Sequence, residues 1–126
     1  MNPLHIDDEE VLYRAIVGPQ RDLLSQGSPD AALFIDERGL SVDRDGGRCD
    51  SEVLRSFSDR FRRQGCDVAV KISAGKCRSA GAYPVATGNK KNKYHAEIHD
   101  TKQKVRLSLL KAMKIANLCE IVKSSR

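Results

Sequence analysis

The sequence predicts an α+β domain, a single mostly antiparallel sheet with two main helices over about residues 51–64 and 101–116. Three observations carry this class. Short β-prone apolar runs, each bounded by Gly, Pro, Asn or Asp, recur along the chain. Two longer segments carry apolar residues at helical spacing behind residues suited to helix caps. Strands and helices do not alternate regularly as βαβ units, which argues against a parallel sheet. With 126 residues the chain is read as one domain, 1–126, long enough for a single core.

In chain order, residues 1–8 are expected to fray. Val11 to Val17 reads as a strand that puts Leu12, Arg14 and Ile16 on one face and Val11, Tyr13, Ala15 and Val17 on the other. QRDLLSQ suggests a helical turn. AALFI (31–35) and LSV (40–42) read as a hairpin with its turn at Asp36–Gly39. DSEVLRSFSDRFRRQG is a helix: Asp50 or Ser51 caps it, Gly65 stops it, and Val53, Leu54, Phe57 and Phe61 form its apolar stripe. CDVAVKIS is a strand, AGKCRSAGAY a loop, Pro84–Ala86 an edge strand and KYHAEIH a further strand. The longest helix follows Asp100, whose spacing to Gln103 suits a capping box. Val105, Leu109, Ala112, Met113 and Ala116 are its expected buried stripe, with Leu110 beside it. CEIV closes the chain as a short edge strand.

Charge is distributed unevenly. Residues 1–50 hold 5 Arg and no Lys against 11 acids, a balance of −6; residues 51–126 hold 17 Lys and Arg against 6 acids, a balance of +11. A basic half attracts phosphates, whether of nucleic acid or nucleotide, and Lys76, Arg78, Lys90, Lys91, Lys93, Lys102, Lys104 and Arg106 are the candidate contacts. Charge-complementary halves also suit a protein partner or a homo-oligomer. No apolar run approaches the length of a membrane span, and the first residues, MNPLHIDDEE, are acidic where a secretory signal is basic and then apolar. The expectation is a cytoplasmic protein without membrane contact. The four cysteines show no C-x-x-C pair, so no zinc-ribbon pattern is present; of the four, Cys77, between Lys76 and Arg78, is the candidate for a reactive thiol, the alternative being an ordinary loop cysteine.

The stretch NKYHAEIHD carries the most distinctive chemistry. Period two places His95, Glu97 and His99 on one strand face, opposite Ala96 and Ile98. The three are candidate ligands of a divalent metal, and His95 with Glu97 is a candidate general base and orienting partner. Arg14, set among apolar residues, is the candidate anion contact that completes a nucleotide- or nucleic-acid-directed centre with His95 and Glu97. The glycines around Lys76 do not make a Walker A loop, which needs Ser or Thr after the lysine. Too few aromatics are present for a base-stacking ladder.

Taken in order, LYR at 12–14, LSVD at 40–43 and HAEI at 95–98 resemble short uncharacterised prokaryotic proteins with L-Y-R, L-S-V-D and H-A-x-I motifs, a likeness that implies no established activity. The chain also resembles, more loosely, ADP-ribosyltransferase-type domains, in which an early strand arginine, a serine strand and a late glutamate line a nicotinamide-dinucleotide cleft. The matching positions are Arg14, Ser41 and Glu97; position 95 is His where that pattern has an acid.

Overall fold

The computed structural model describes residues 1–124. Six strands form one antiparallel sheet: β1 (Val11–Ile16), β2 (Leu40–Arg44), β3 (Val68–Ser73), β4 (Tyr83–Ala86), β5 (His95–His99) and β6 (Glu120–Lys123), in spatial order β4-β5-β2-β1-β3-β6. Three α-helices accompany it: α1 (Asp50–Arg60), α2 (Ala74–Ser79) and α3 (Leu109–Leu118). The chain is a single α+β domain, as the sequence predicts. No helix among the described residues is long and apolar enough to cross a membrane.

Strand alternation divides the core into two layers. Leu12, Ile16, Val42, Val70, Ile72 and Ile98 face one side of the sheet, where they pack with Leu33, Phe34 and the inner faces of α2 and α3. Tyr13 and Ala69 face the other side and meet Val53, Leu54 and Phe57 of α1. The β1 alternation therefore runs as predicted. So does α1, within a residue at its start: Glu52 accepts the Cys49 N–H at 3.1 Å, and Cys49 rather than Asp50 or Ser51 stands at the cap. The helix ends at Arg60, four residues before the expected end, and residues 61–64 turn until Gly65, at φ +81°, donates its N–H to the Phe61 carbonyl.

Four expectations are corrected. AALFI is not a strand: Asp30 accepts the Ala32 N–H and caps a 3₁₀ helix over Ala31–Phe34, so β2 finds its partners in β1 and β5. A short apolar run does not itself distinguish strand from helix. The segment after β3 is not a loop but α2, begun by the Ser73 hydroxyl accepting the Lys76 N–H. The last helix starts eight residues later than predicted. The Thr101 hydroxyl captures the N–H groups of Gln103 and Lys104, and Asp100 accepts the Ser108 N–H, so residues 101–107 turn before Ser108 caps α3. The buried face of α3 is accordingly Ala112, Ile115 and Ala116, while Val105, Leu109, Leu110 and Met113 are exposed.

Residues 1–8 make contacts with the domain. Ile6 is in the core, the fully buried Arg44 takes the carbonyls of Asn2 and His5 together with the Glu10 carboxylate, and Arg78 takes Asp8 and the Ile6 carbonyl.

Candidate functional site

His95, Glu97 and His99 share one face of β5, with Ala96 and Ile98 buried on the other. They do not converge. His99 Nε2 lies 2.7 Å from Glu97 Oε1, and His95 Nδ1 lies 2.7 Å from the Thr87 hydroxyl of the neighbouring strand end. Among the described residues no three His, Cys, Asp or Glu side chains are grouped so as to hold a metal ion, which corrects the metal expectation for His95, Glu97 and His99. The reason is where the rings turn: His95 bonds Thr87, which leaves Glu97 and His99 as a pair without a third ligand among the described residues.

The centre expected from Arg14, His95 and Glu97 does not assemble either. Ser41 stands opposite Glu97 in the β2–β5 register, so Arg14, Ser41 and Glu97 do lie on three neighbouring strands. Arg14, however, points to the other side of the sheet with Leu12 and Ile16. Its Nε donates to the Leu33 carbonyl at 2.8 Å and its Nη1 to the Ser41 carbonyl at 3.0 Å. Burial depresses the guanidinium pKa, opposed by the nearby Asp36 carboxylate. Arg14 ties β1 to β2 and to the 31–34 turn.

The candidate cations fall into three groups. Lys76 and Arg78 lie on α2, where Arg78 is occupied by the N-terminal segment. Lys102, Lys104 and Arg106 follow β5, with Lys102 near the Tyr83 ring and Arg106 Nε 4.0 Å from Glu37. Lys90, Lys91 and Lys93 precede β5. Five strand residues, about 17 Å, separate the last two groups. The basic residues named from the sequence thus lie in three separate segments of the chain.

One group does border a groove. Ser56, Asp59 and Arg60 of α1 face Lys90, Lys91, Asn92, Lys93 and Tyr94 across a space of about 580 Å³. The loop that carries the lysines is held from within. Asn89 Oδ1 accepts the N–H groups of Lys91 and Asn92, and Asn92 Oδ1 accepts that of Tyr94. Asn92 Nδ2 then donates to the buried Asp43 at 3.1 Å, and Arg60 reaches the same carboxylate from α1. One buried acid on β2 thus fixes both walls. Arg48 lies over the Tyr94 ring, 3.6 Å from its centroid, held there by the carbonyls of Arg44 and Asp45. Lys90, Lys91 and Lys93 are exposed, and none has a carboxylate within ion-pair distance among the described residues. Asp59 is the acid on the groove wall, and Arg62 pairs with it at 3.6 Å.

Two further grooves are less selective. The one of about 1100 Å³ between α1 and β6 mixes Arg21, Arg55 and Lys123 with Asp50 and Asp67. Another, about 650 Å³, runs between residues 4–9 and β4 and holds Asp7, Asp8 and Glu9. None of the three is lined by His95, Glu97 or His99. Volume therefore does not rank these sites; charge does.

Arg60, Arg48, Asp43 and Asn92 were not legible as site residues from the sequence. An acid inside the apolar LSVDR strand and the N-x-x-N spacing at 89–92 were the available signals. Cys77 is corrected as well. It is fully buried, and burial, opposed by the Arg78 charge, pushes its thiol up to about 12, where it is neither nucleophilic nor accessible. Comparison with protein-family models, with curated proteins and with solved structures finds no match.

Proposed function

We propose that this is a cytoplasmic protein that binds nucleic acid through its backbone phosphates, in the groove between α1 and the 88–94 loop. The observation that carries the reading is the Arg60–Asp43–Asn92 network: it holds three unpaired lysines, at 90, 91 and 93, on a loop with a defined shape. Ordering the loop in advance removes part of the entropy that binding would otherwise cost. Lys90, Lys91 and Lys93 are exposed, Lys93 with its ammonium 5.2 Å from the Tyr94 ring centroid, so a phosphate meets no competing carboxylate on them among the described residues. The balance of +11 over residues 51–126 adds a long-range attraction in the same direction.

The groove favours phosphate over base recognition. Arg48 already covers one face of the Tyr94 ring, and no second aromatic lines the groove to stack a base. Binding should be tolerant of sequence and sensitive to salt. All four cysteines are free, which fits a reducing compartment.

Fluorescence anisotropy with a labelled single-stranded oligonucleotide and with a duplex, at several salt concentrations, tests the proposal. The expected result is a linear fall of log affinity with log salt. Replacing Lys90, Lys91 and Lys93 by Ala should flatten the slope by about 0.7 to 0.9 for each phosphate that is no longer neutralised. A mononucleotide competing as well as the oligonucleotide would assign the groove to nucleotides. Undetectable binding at low salt, or a slope that the triple variant leaves unchanged, would overturn the reading.

A further inference from the structure

α3 is apolar on both faces, and its larger side chains point outward. The inner face is built from Ala112, Ile115 and Ala116, small enough to let the 31–34 turn approach closely. The outer face carries Leu109, Leu110 and Met113 at 62%, 63% and 50% exposure. These three lie at i, i+1 and i+4 and form one ridge. Lys111, Lys114 and Asn117 make one side of the helix polar, so the outer ridge is an apolar patch beyond the core face, of the kind that marks an interaction site. Nothing among the described residues covers this ridge.

Charge narrows what does. Residues 101–118 contain Lys102, Lys104, Arg106, Lys111 and Lys114 and no acid. Lys111 is engaged with Asp100, and Lys102, Lys104, Arg106 and Lys114 are exposed around the ridge and on the segment leading into it. We propose that the outer face of α3 docks an amphipathic helix of a partner protein, whose apolar anchors fit the Leu109–Leu110–Met113 ridge and whose flanks are acidic. The mode is helix against helix, with apolar anchors giving affinity and flanking charge giving orientation. A second copy of the chain fits poorly, because pairing α3 with α3 brings two sets of cations together. A lipid surface also fits poorly: the inner face of α3 is fixed to the core, and no aromatic side chain stands beside the outer ridge to anchor it in a bilayer.

The test uses the intact protein and a labelled 18-residue helical peptide with Leu at i, i+3, i+4 and i+7 and Glu on both flanks. Two control peptides accompany it, one with Lys in place of Glu and one of the same composition scrambled. Saturable binding of the acidic amphipathic peptide is expected, weakened about tenfold or more by Leu110→Glu, as for an anchor residue of an interface. Both control peptides should bind much more weakly. Leu110 is already exposed, so the substitution should leave the thermal melt unchanged; if it does not, Met113→Ser carries the test in its place. Equal binding of the scrambled or Lys peptide, or wild-type affinity in a folded Leu110→Glu variant, would overturn the proposal. So would cosedimentation with anionic vesicles in the absence of peptide binding, or a dimer in sedimentation velocity that Leu110→Glu dissociates.

Discussion

Arg60 and Asp43 meet across the interface of α1 and the sheet in a two-pronged contact, the guanidinium donating from Nη1 and Nη2 to the two carboxylate oxygens at 3.2 and 2.7 Å. The Asp43 side chain is 3% exposed and that of Arg60 is 37% exposed. Removing the acid therefore orphans a cation that can still turn toward water. Asp43→Ala is expected to cost about 2 kcal/mol, less than the 3–5 kcal/mol of breaking a fully buried pair. It should also free Asn92, so amide exchange in residues 89–94 should quicken more than exchange in α3. Urea denaturation gives the first quantity and hydrogen exchange the second; unchanged exchange in the loop would show that Asn92 does not depend on Asp43.

Asp50 sets the pH limits of stability from both sides. Hydrogen bonds from the Tyr13 hydroxyl at 2.6 Å and from Lys71 at 2.9 Å hold its carboxyl below the usual range. A carboxyl lowered in the folded state stabilises above its unfolded value and loses that contribution as pH falls toward its folded value. Glu10 acts in the same direction: burial raises its pKa, but hydrogen bonds from Arg44 and from the Asp7 N–H outweigh it. An acid limb below about pH 4 is expected. Tyr13 is raised, first by burial and then by Asp50, so its contribution is present below its unfolded value and is lost as pH rises beyond about 10. Asp50→Asn should shallow the acid limb measured by thermal melts, since the amide cannot titrate.

The sheet was legible where two neighbouring residues differ in polarity. In HAEIH the alternation fixes Ala96 and Ile98 as core, and in VLYRAI it separates Leu12 and Ile16 from Tyr13; both separations hold in the structure. α1 was legible for a similar reason, an apolar stripe followed by Gly65. The start of α3 was not, because Asp100 and Thr101 bond backbone N–H groups in a turn as readily as in a helix cap. Of the expected buried stripe, Ala112 and Ala116 are buried, whereas Val105, Leu109 and Met113 are exposed, as is Leu110 beside it. The groove was illegible for a different reason. Arg60 and Asn92 reach Asp43 over 17 and 49 residues, and no local pattern encodes such a meeting.

Thiol accessibility gives a direct check on α2. Cys49 is exposed, Cys119 is partly buried with its thiol pushed up to about 11 by burial, and Cys77 is fully buried. Under native conditions a charged disulfide reagent should modify Cys49 quickly, Cys119 slowly, and Cys66 and Cys77 only on unfolding. Cys49→Ser should abolish the fast phase. Peptide mapping after a short exposure distinguishes the sites, and early modification of Cys77 would contradict its burial on the inner face of α2.

Gly39 offers a test of the pair on β5. Its φ of +99° suits glycine alone, and a Cβ built there would stand 2.7 Å from Glu97 Oε1 and 3.1 Å from Val105 Cγ1. That same Glu97 oxygen is the one bonded to His99 Nε2. Gly39→Ala therefore imposes two separable effects: backbone strain of about 1–3 kcal/mol, and displacement of the Glu97 carboxylate from His99. Gly65→Ala provides the contrast. Its φ is +81°, but nothing lies within 4 Å of the added Cβ, so only strain applies. Both variants should denature at lower urea concentration, Gly39→Ala the more so. Only Gly39→Ala should change the chemical shifts of the His99 ring protons. Glu97→Gln, which keeps the shape and removes the charge, should change those shifts without the backbone strain. If Gly39→Ala left the ring unchanged, the turn rather than Glu97 would have moved to admit the methyl group, and the His99–Glu97 contact would be independent of the β2 turn.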